Sequence, residues 1–326
     1  MSNYSIGVDL GGTKILAGVI DTDTGTVIEY SKKRTQTEFG RNSIIQNIIE
    51  NVEKAICKAQ IPVLKISSLG IGAAGQVDRE KGILISSPNL ECYDIELKNI
   101  LENHFNIPVY VGNDVEVATL GEMKFGSGIN YKNFVCIFIG TGIGSGIVQG
   151  GEIYQGFTGT AGEIGHIIVD SGGRACSCGG HGCLEAYASR TAIEKKILAS
   201  LKKGHKSVIK DIIKDEEQIR SKHIKQALDE GDEIVLNCIT EASEYLSSGL
   251  ATIINFYNPQ LIILGGGLIS NIDFFYEITV KKTIAKSLPT PSERGKIART
   301  ALGDFSGIVG ASLLEKVYVD NLEKLN

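Results

Sequence analysis

Apolar and polar positions alternate from Tyr4 onward in three short runs, "YSIGVDL", "KILAGVI" and "TVIEY", separated by "GGT" and "DTDTG". A period of two broken by turn residues predicts three antiparallel strands. In "NSIIQNIIENVEKAICKA" the period changes, and Ile44, Ile45, Ile48, Ile49, Val52 and Ile56 fall on one face of a helix. "ISSLGIGAAGQVD" then reads as a buried strand entering a glycine turn. The same order returns after about 130 residues: "NFVCIFIGTGIGSGIVQGGEIY" gives strands around a glycine turn, and "DEIVLNCITEASEYLSSGLATIINFY" carries Ile234, Cys238, Ala242, Tyr245, Leu246, Gly249 and Ile253 at helical spacing. "PQLIILGGGLI" closes the series with another buried strand. Both halves therefore read strand, strand, strand, helix, strand. Such a duplication predicts two related α/β domains with a ligand cleft between them: residues 1–117 joined by about 301–326, and a larger domain over 118–300. The stretch from Ala186 to Gly231 reads as inserted helices, and "PTPSER", Pro289 to Arg294, as a loop.

Composition narrows the function. A chain of 326 residues with 42% hydrophobic content can fill two cores. Net charge is −5, and the 33 lysines and arginines are dispersed, which gives no electrostatic footprint for nucleic acid. The start, "MSNYSIGVDL", lacks the pattern of a secretory leader, and no run of about 18 apolar residues occurs, so a cytoplasmic protein without membrane partners is expected. Cys57, Cys92, Cys136 and Cys238 each stand alone among apolar neighbours and are expected to be buried thiols.

Four glycine or carboxylate motifs carry candidate chemistry. "VDLGGTK" sets Asp9 at a strand end before Gly11, Gly12, Thr13 and Lys14, where open backbone amides can meet an anion and Asp9 can hold a metal-bound water; an ordinary hairpin turn explains it as well. "IGTGIGSGI" repeats the device with Gly140, Thr141, Gly142 and Gly144, and a pair of such turns can grip phosphates. "LGGGL", with Gly265, Gly266 and Gly267, offers a flat backbone surface for a purine, or a plain turn. "IPVYVGNDVEVATLGE" runs a strand into Asn113 and Asp114, where Asp114 is either a helix N-cap or a base for a hydroxyl nucleophile.

"GHIIVDSGGRACSCGGHGCLE" gathers three of the seven cysteines. Cys176, Cys178 and Cys183 with His166 make a Cys3His set suited to tetrahedral zinc, although spacing alone leaves His181 open as the fourth ligand. Four protein ligands leave no open position, so the Zn2+ is expected to be structural.

These residues together resemble the ROK family of bacterial sugar kinases and sugar-responsive repressors, within the actin, hexokinase and Hsp70-like ATPase superfamily. "DLGGTK" is similar to the family's first phosphate motif, "IGTGIGSGI" to the second, "IILGGGL" to the adenosine motif and "ALGDFSGIVGAS" to the closing helix; "GTAGEIGH" with "CSCGGHGCLE" matches its GExGH and CxCGxxGCxE signature. The resemblance implies a two-domain actin-like ATPase fold of ribonuclease H-like α/β type, ATP and Mg2+ as cofactors, and a homo-oligomer, dimer or tetramer. It implies that His166 is the zinc ligand and also a sugar contact, that Glu163, Glu185, Asn89 and Asn113 bind sugar hydroxyls, and that Asp114 is the catalytic aspartate. Expected activity is phosphorylation of a hexose, glucose at its 6-hydroxyl first. Fructose, mannose, allose, N-acetylglucosamine and N-acetylmannosamine stay open, because "NLECYDIEL" places Cys92 and Tyr93 where the family's glucokinases carry NLxGW. The repressor alternative is disfavoured, since Asp9 follows the first residue too closely for a helix-turn-helix region to precede it.

Overall fold

The strand-forming runs pair through their turns. In the computed structural model, which describes residues 3–214 and 218–325, the strands are β1 (Tyr4–Leu10), β2 (Lys14–Asp21), β3 (Val27–Arg34), β4 (Ile66–Ala73), β5 (Gln76–Asp78), β6 (Ile83–Ser87), β7 (Cys92–Ile95), β8 (Val109–Asn113), β9 (Phe134–Ile139), β10 (Ile143–Gln149), β11 (Glu152–Ile153), β12 (Leu261–Gly265) and β13 (Lys296–Arg299). Residues 1–2, 215–217 and 326, at the ends of the expected first domain and within the expected insert, lie outside the described residues.

Two sheets share one topology. The first has the order β3-β2-β1-β4-β8 and the second β11-β10-β9-β12-β13. In each, a hairpin pair lies antiparallel and the strands after the central one run parallel to it. Among the parallel strands β12 is buried on both faces, as its unbroken apolar run "LIIL" requires. A small sheet β5-β6-β7 completes the first half; its strands are three to five residues long, too short for periodicity to declare them.

The chain divides into two compact units, residues 1–130 with 304–326, and residues 131–303. Residues 118–130, which include most of the helix Asp114–Phe125, fall with the first unit. In the first unit, helix Gly40–Ala59 covers the sheet with Ile44, Ile48, Ile49 and Val52. It also buries Asn51, whose amide donates to the carbonyls of Ile15 and Ser31 at 3.1 Å and so fixes helix against sheet. On the opposite face, helix Ser306–Ala311 approaches backbone to backbone. A Cβ on Gly7 would fall 1.8 Å from the Ile308 carbonyl oxygen, and one on Gly70 1.8 Å from that of Ala311. Helix Asp114–Phe125 joins the same stack, with Gly310 against the Val117 carbonyl oxygen and the fully buried Glu122 accepting from Ser306 Oγ at 2.8 Å.

In the second unit, helix Glu233–Tyr257 lays Cys238, Ala242, Leu246, Leu250 and Ile253 into the core. The segment expected as inserted helices forms helices Glu185–Ala188, Arg190–Lys202, Ile209–Ile213 and Ser221–Asp229. Two expectations need correction. "PTPSER" is a helix, Pro289–Arg294, because prolines in a first turn lack only amides that have no intrahelical acceptor there. Cys57 is exposed, on the outward side of its helix, whereas Cys92, Cys136 and Cys238 are buried. Among the described residues no helix is long and apolar enough to cross a membrane.

Candidate active site

In the first unit the strand register sets the carboxylates. Asp9 lies opposite Gly72 across β1 and β4, and Gly72 opposite Gly112 across β4 and β8. Asp9 and the Gly112–Asn113–Asp114 step therefore share the carboxyl edge of parallel strands, the usual ligand edge in α/β sheets. The turn between β1 and β2 is closed by the Gly11 amide donating to the Lys14 carbonyl at 3.0 Å, and the Thr35 hydroxyl holds the Gly11 carbonyl at 2.6 Å. Thr13 is exposed at its tip. Gly12 is required by contact: a Cβ there would meet the Asn89 carbonyl oxygen at 2.7 Å. The turn thus rests on the residue expected to touch sugar. Lys14 reaches Asp304 at 3.4 Å.

The N-cap of helix Asp114–Phe125 is Asn113, not Asp114. Asn113 Oδ1 accepts from the amides of Val115 at 3.0 Å and Glu116 at 3.2 Å, while Nδ2 donates to the Gly75 carbonyl at 3.1 Å. The cap belongs to Asn113, while the Asp114 carboxyl accepts hydrogen bonds from the Val115 amide, its own amide and the Asn113 side chain. Burial raises Asp114 to about 7, with the negative charge of Asp9 pushing the same way and nearby amide hydrogen bonds opposing. Asp9 is raised to about 6, also by burial, against the pull of Lys14. Arg79, which sequence reasoning missed, pairs with Glu116 in the first turn of this helix and steadies it.

In the second unit the turn after β9 is closed by the Gly140 amide donating to the Gly142 carbonyl at 2.9 Å. Arg190, also missed, holds that turn twice: its amide donates to the Gly140 carbonyl at 2.9 Å and Nη2 to Thr141 Oγ1 at 3.2 Å. No spacing rule ties an arginine nearly fifty positions on to a glycine turn. Gly144 continues into β10 opposite Phe138. Gly265 pairs with Phe138 across β9 and β12, and Gly266, with φ near 88°, sits where a Cβ would strike the Ile139 carbonyl oxygen; Gly267 opens the short helix Gly267–Asn271. Gly265 and Gly266 accordingly sit beside the end of β9, where the second glycine turn begins.

The thiol loop assembles from two segments. Bridges Ile168↔Cys183 and Ala175↔His181 fold residues 166–183 back on themselves, the Cys176 amide donates to the Gly180 carbonyl at 2.9 Å, and the Tyr187 hydroxyl donates to Asp170 at 2.7 Å. The ligand atoms of His166, Cys176, Cys178 and Cys183 all lie within 4.8 Å of one another. Exposed His181 is not among them, so the structure gathers His166 where spacing left two choices. The Cys176 Sγ to His166 Nδ1 and Cys178 Sγ to Cys183 Sγ separations are both 3.7 Å. Tetrahedral zinc bonds of about 2.0–2.3 Å imply ligand edges of about 3.5–3.8 Å, which these two separations match. Burial and crowding by the other two cysteines push the Cys183 thiol up to about 12, an arrangement a cation would relieve.

Glu185 follows directly at the start of helix Glu185–Ala188. Its Oε2 accepts the Ile143 amide at 2.9 Å and its Oε1 the Ser177 hydroxyl at 3.1 Å. Glu163 is exposed, next to the single turn Ile164–His166 that presents the histidine.

Paired glycine hairpins on a duplicated sheet, each set beside acidic groups, define a protein of the two-domain, actin-like ATPase fold. The profile described as the ROK family matches residues 5–317, and the chain belongs to that family. A glucokinase of Thermotoga maritima is 31% identical over 95% of this chain and 96% of its own length. A xylose repressor of Bacillus spizizenii is 30% identical over 95% of this chain and 76% of its own. Among solved structures, a ROK family glucokinase from Streptomyces griseus in complex with glucose and AMPPNP superposes with a TM-score of 0.84, at 31% identity, over 96% of this chain and 99% of that one.

Proposed function

We propose that this chain is an ATP-dependent hexose kinase that phosphorylates glucose at its 6-hydroxyl. The observation that carries the reading is Asp114: a half-buried carboxylate beside the Asn113 cap, at the carboxyl edge of the sheet, with its proton affinity raised to about 7. Similarity to the glucose-bound Streptomyces griseus enzyme supports glucose as the acceptor.

Asp114 accepts the proton of the sugar hydroxyl as its oxygen bonds to the γ-phosphorus and the bridge to the β-phosphate breaks, releasing ADP. Transfer through a loose transition state depends more on alignment than on base strength, which makes the placement of Asp114 at the first helical position the main contribution. Backbone amides of the Gly11–Lys14 and Gly140–Gly144 turns would meet the phosphates, and Gly265–Gly267 the adenosine. Asp9 would hold the Mg2+ that accompanies ATP, which spreads the charge of the transferred group. His166, Cys176, Cys178 and Cys183 would hold one structural Zn2+, which cross-links the loop. Glu163, His166 and Glu185, with Asn89 and Asn113, would bind the sugar hydroxyls.

A coupled ADP-release assay over a panel of hexoses and N-acetylhexosamines, with ATP and Mg2+, tests the reading: turnover with glucose is expected. Absence of turnover with every sugar, together with a specific mobility shift of DNA, would replace it with the repressor reading.

A further inference from the structure

We infer that Ser177, the residue between the first two cysteine ligands, is a positioning residue for Glu185, and through it links the metal loop to both the sugar and the second phosphate turn. The inference rests on the sugar-kinase reading above.

Glu185 has a flexible side chain on a helix only four residues long, Glu185–Ala188, so the backbone alone cannot hold its carboxylate in one orientation. Two donors do. Oε1 takes the Ser177 hydroxyl at 3.1 Å and Oε2 the Ile143 amide at 2.9 Å, and these donors come from different places: one from the thiol loop, one from the strand that leaves the glycine turn. Each carboxylate oxygen accepts in two directions, so one direction on each oxygen stays available, a spacing suited to a pair of neighbouring hydroxyls. The room for this arrangement is built into the sequence. A Cβ on Gly142 would fall 2.4 Å from Glu185 Oε2, so only glycine lets the carboxylate reach the Ile143 amide.

Ser177 is itself anchored on both sides, since Cys176 and Cys178 belong to one four-ligand cluster. An ion bound there fixes the serine backbone, and the hydroxyl passes that constraint to Oε1. Alanine at this position deletes the contact while leaving every ligand atom in place. The carboxylate then pivots on the Ile143 amide alone, and its free lone pairs lose their register with the sugar hydroxyls.

The test uses the purified full chain, with glucose affinity measured by titration calorimetry and zinc by elemental analysis. Ser177→Ala should weaken glucose binding by about tenfold or more, as loss of one hydrogen bond to a charged group implies. It should raise the KM for glucose by the same factor, change kcat by no more than about twofold and leave the zinc content unaltered. Ser177→Thr, which keeps the hydroxyl, should restore both affinity and KM. Unchanged affinity in Ser177→Ala, or failure of Ser177→Thr to rescue, overturns the role of Ser177. Loss of zinc from Ser177→Ala overturns it too, because the serine would then serve the loop rather than the carboxylate. Glu185→Ala separates the two levels: if it leaves glucose affinity intact, the sugar-site reading fails; if it abolishes binding while Ser177→Ala is silent, only the present inference does.

Discussion

Asp114→Asn should slow phosphoryl transfer and at the same time make the protein harder to unfold. The carboxyl ordinarily titrates near 3.8 and is raised to about 7 here, chiefly by burial. A rise from 3.8 to about 7 corresponds to about 4 kcal/mol of ionisation penalty carried by the folded state above pH 7. Partial access of water to a half-buried residue reduces this, and about 1–3 kcal/mol is the working expectation. The sign follows from proton binding. The folded chain holds the Asp114 proton between pH 4 and pH 7 while the unfolded chain has lost it, so this group's stabilisation is complete below the unfolded value and disappears as pH rises through 7. Asparagine does not ionise and escapes the penalty. Urea unfolding of both forms at intervals from about pH 3.5 to 8.5 should show Asp114→Asn gaining over the parent as pH rises from about 4 to 7, with no gain at the acid end. Turnover should fall by about a hundredfold or more, with glucose binding roughly intact. A pH-independent stability difference would refute the burial argument, and near-normal turnover would remove Asp114 as the base.

The free-enzyme kcat/KM should fall below pH 7 with unit slope as Asp114 takes up its proton, and Asp9→Asn should move that limb to lower pH by removing a like charge; an unmoved limb would uncouple the two carboxyls. Cys176→Ser, or a strong chelator, should release one zinc per chain and weaken glucose binding at least about tenfold, read by elemental analysis and calorimetry. Gly310→Ala should destabilise the fold by about 3 kcal/mol or more in urea melts, since its Cβ would overlap the Val117 carbonyl oxygen.

Much of this was readable from the chain because its signals are local. The β1–β2 hairpin declares itself by alternation around "GGT", and helix Gly40–Ala59 by its isoleucine stripe. What stayed hidden depends on partners distant in sequence. Spacing could not choose between His166 and His181, because the choice is made by the Ile168↔Cys183 bridge that folds the loop. Asp114 read as a helix cap or as a base, and out of context more readily as the cap, which the fold gives to Asn113 instead. Ser177 and Arg190 belong to no residue pattern; their roles come from hydrogen bonds to Glu185 and to the glycine turn. Cys57 read as buried because its neighbours are apolar, yet it points outward from its helix.

The contact of Gly7 and Gly70 with the main chain of Ile308 and Ala311 has a consequence for biosynthesis. One face of this sheet receives its cover from residues made roughly 240 to 300 positions after the strands they touch, so that face must wait through synthesis of the whole second unit. Nascent chains arrested before residue 304 should therefore be the species on which chaperones and proteases act.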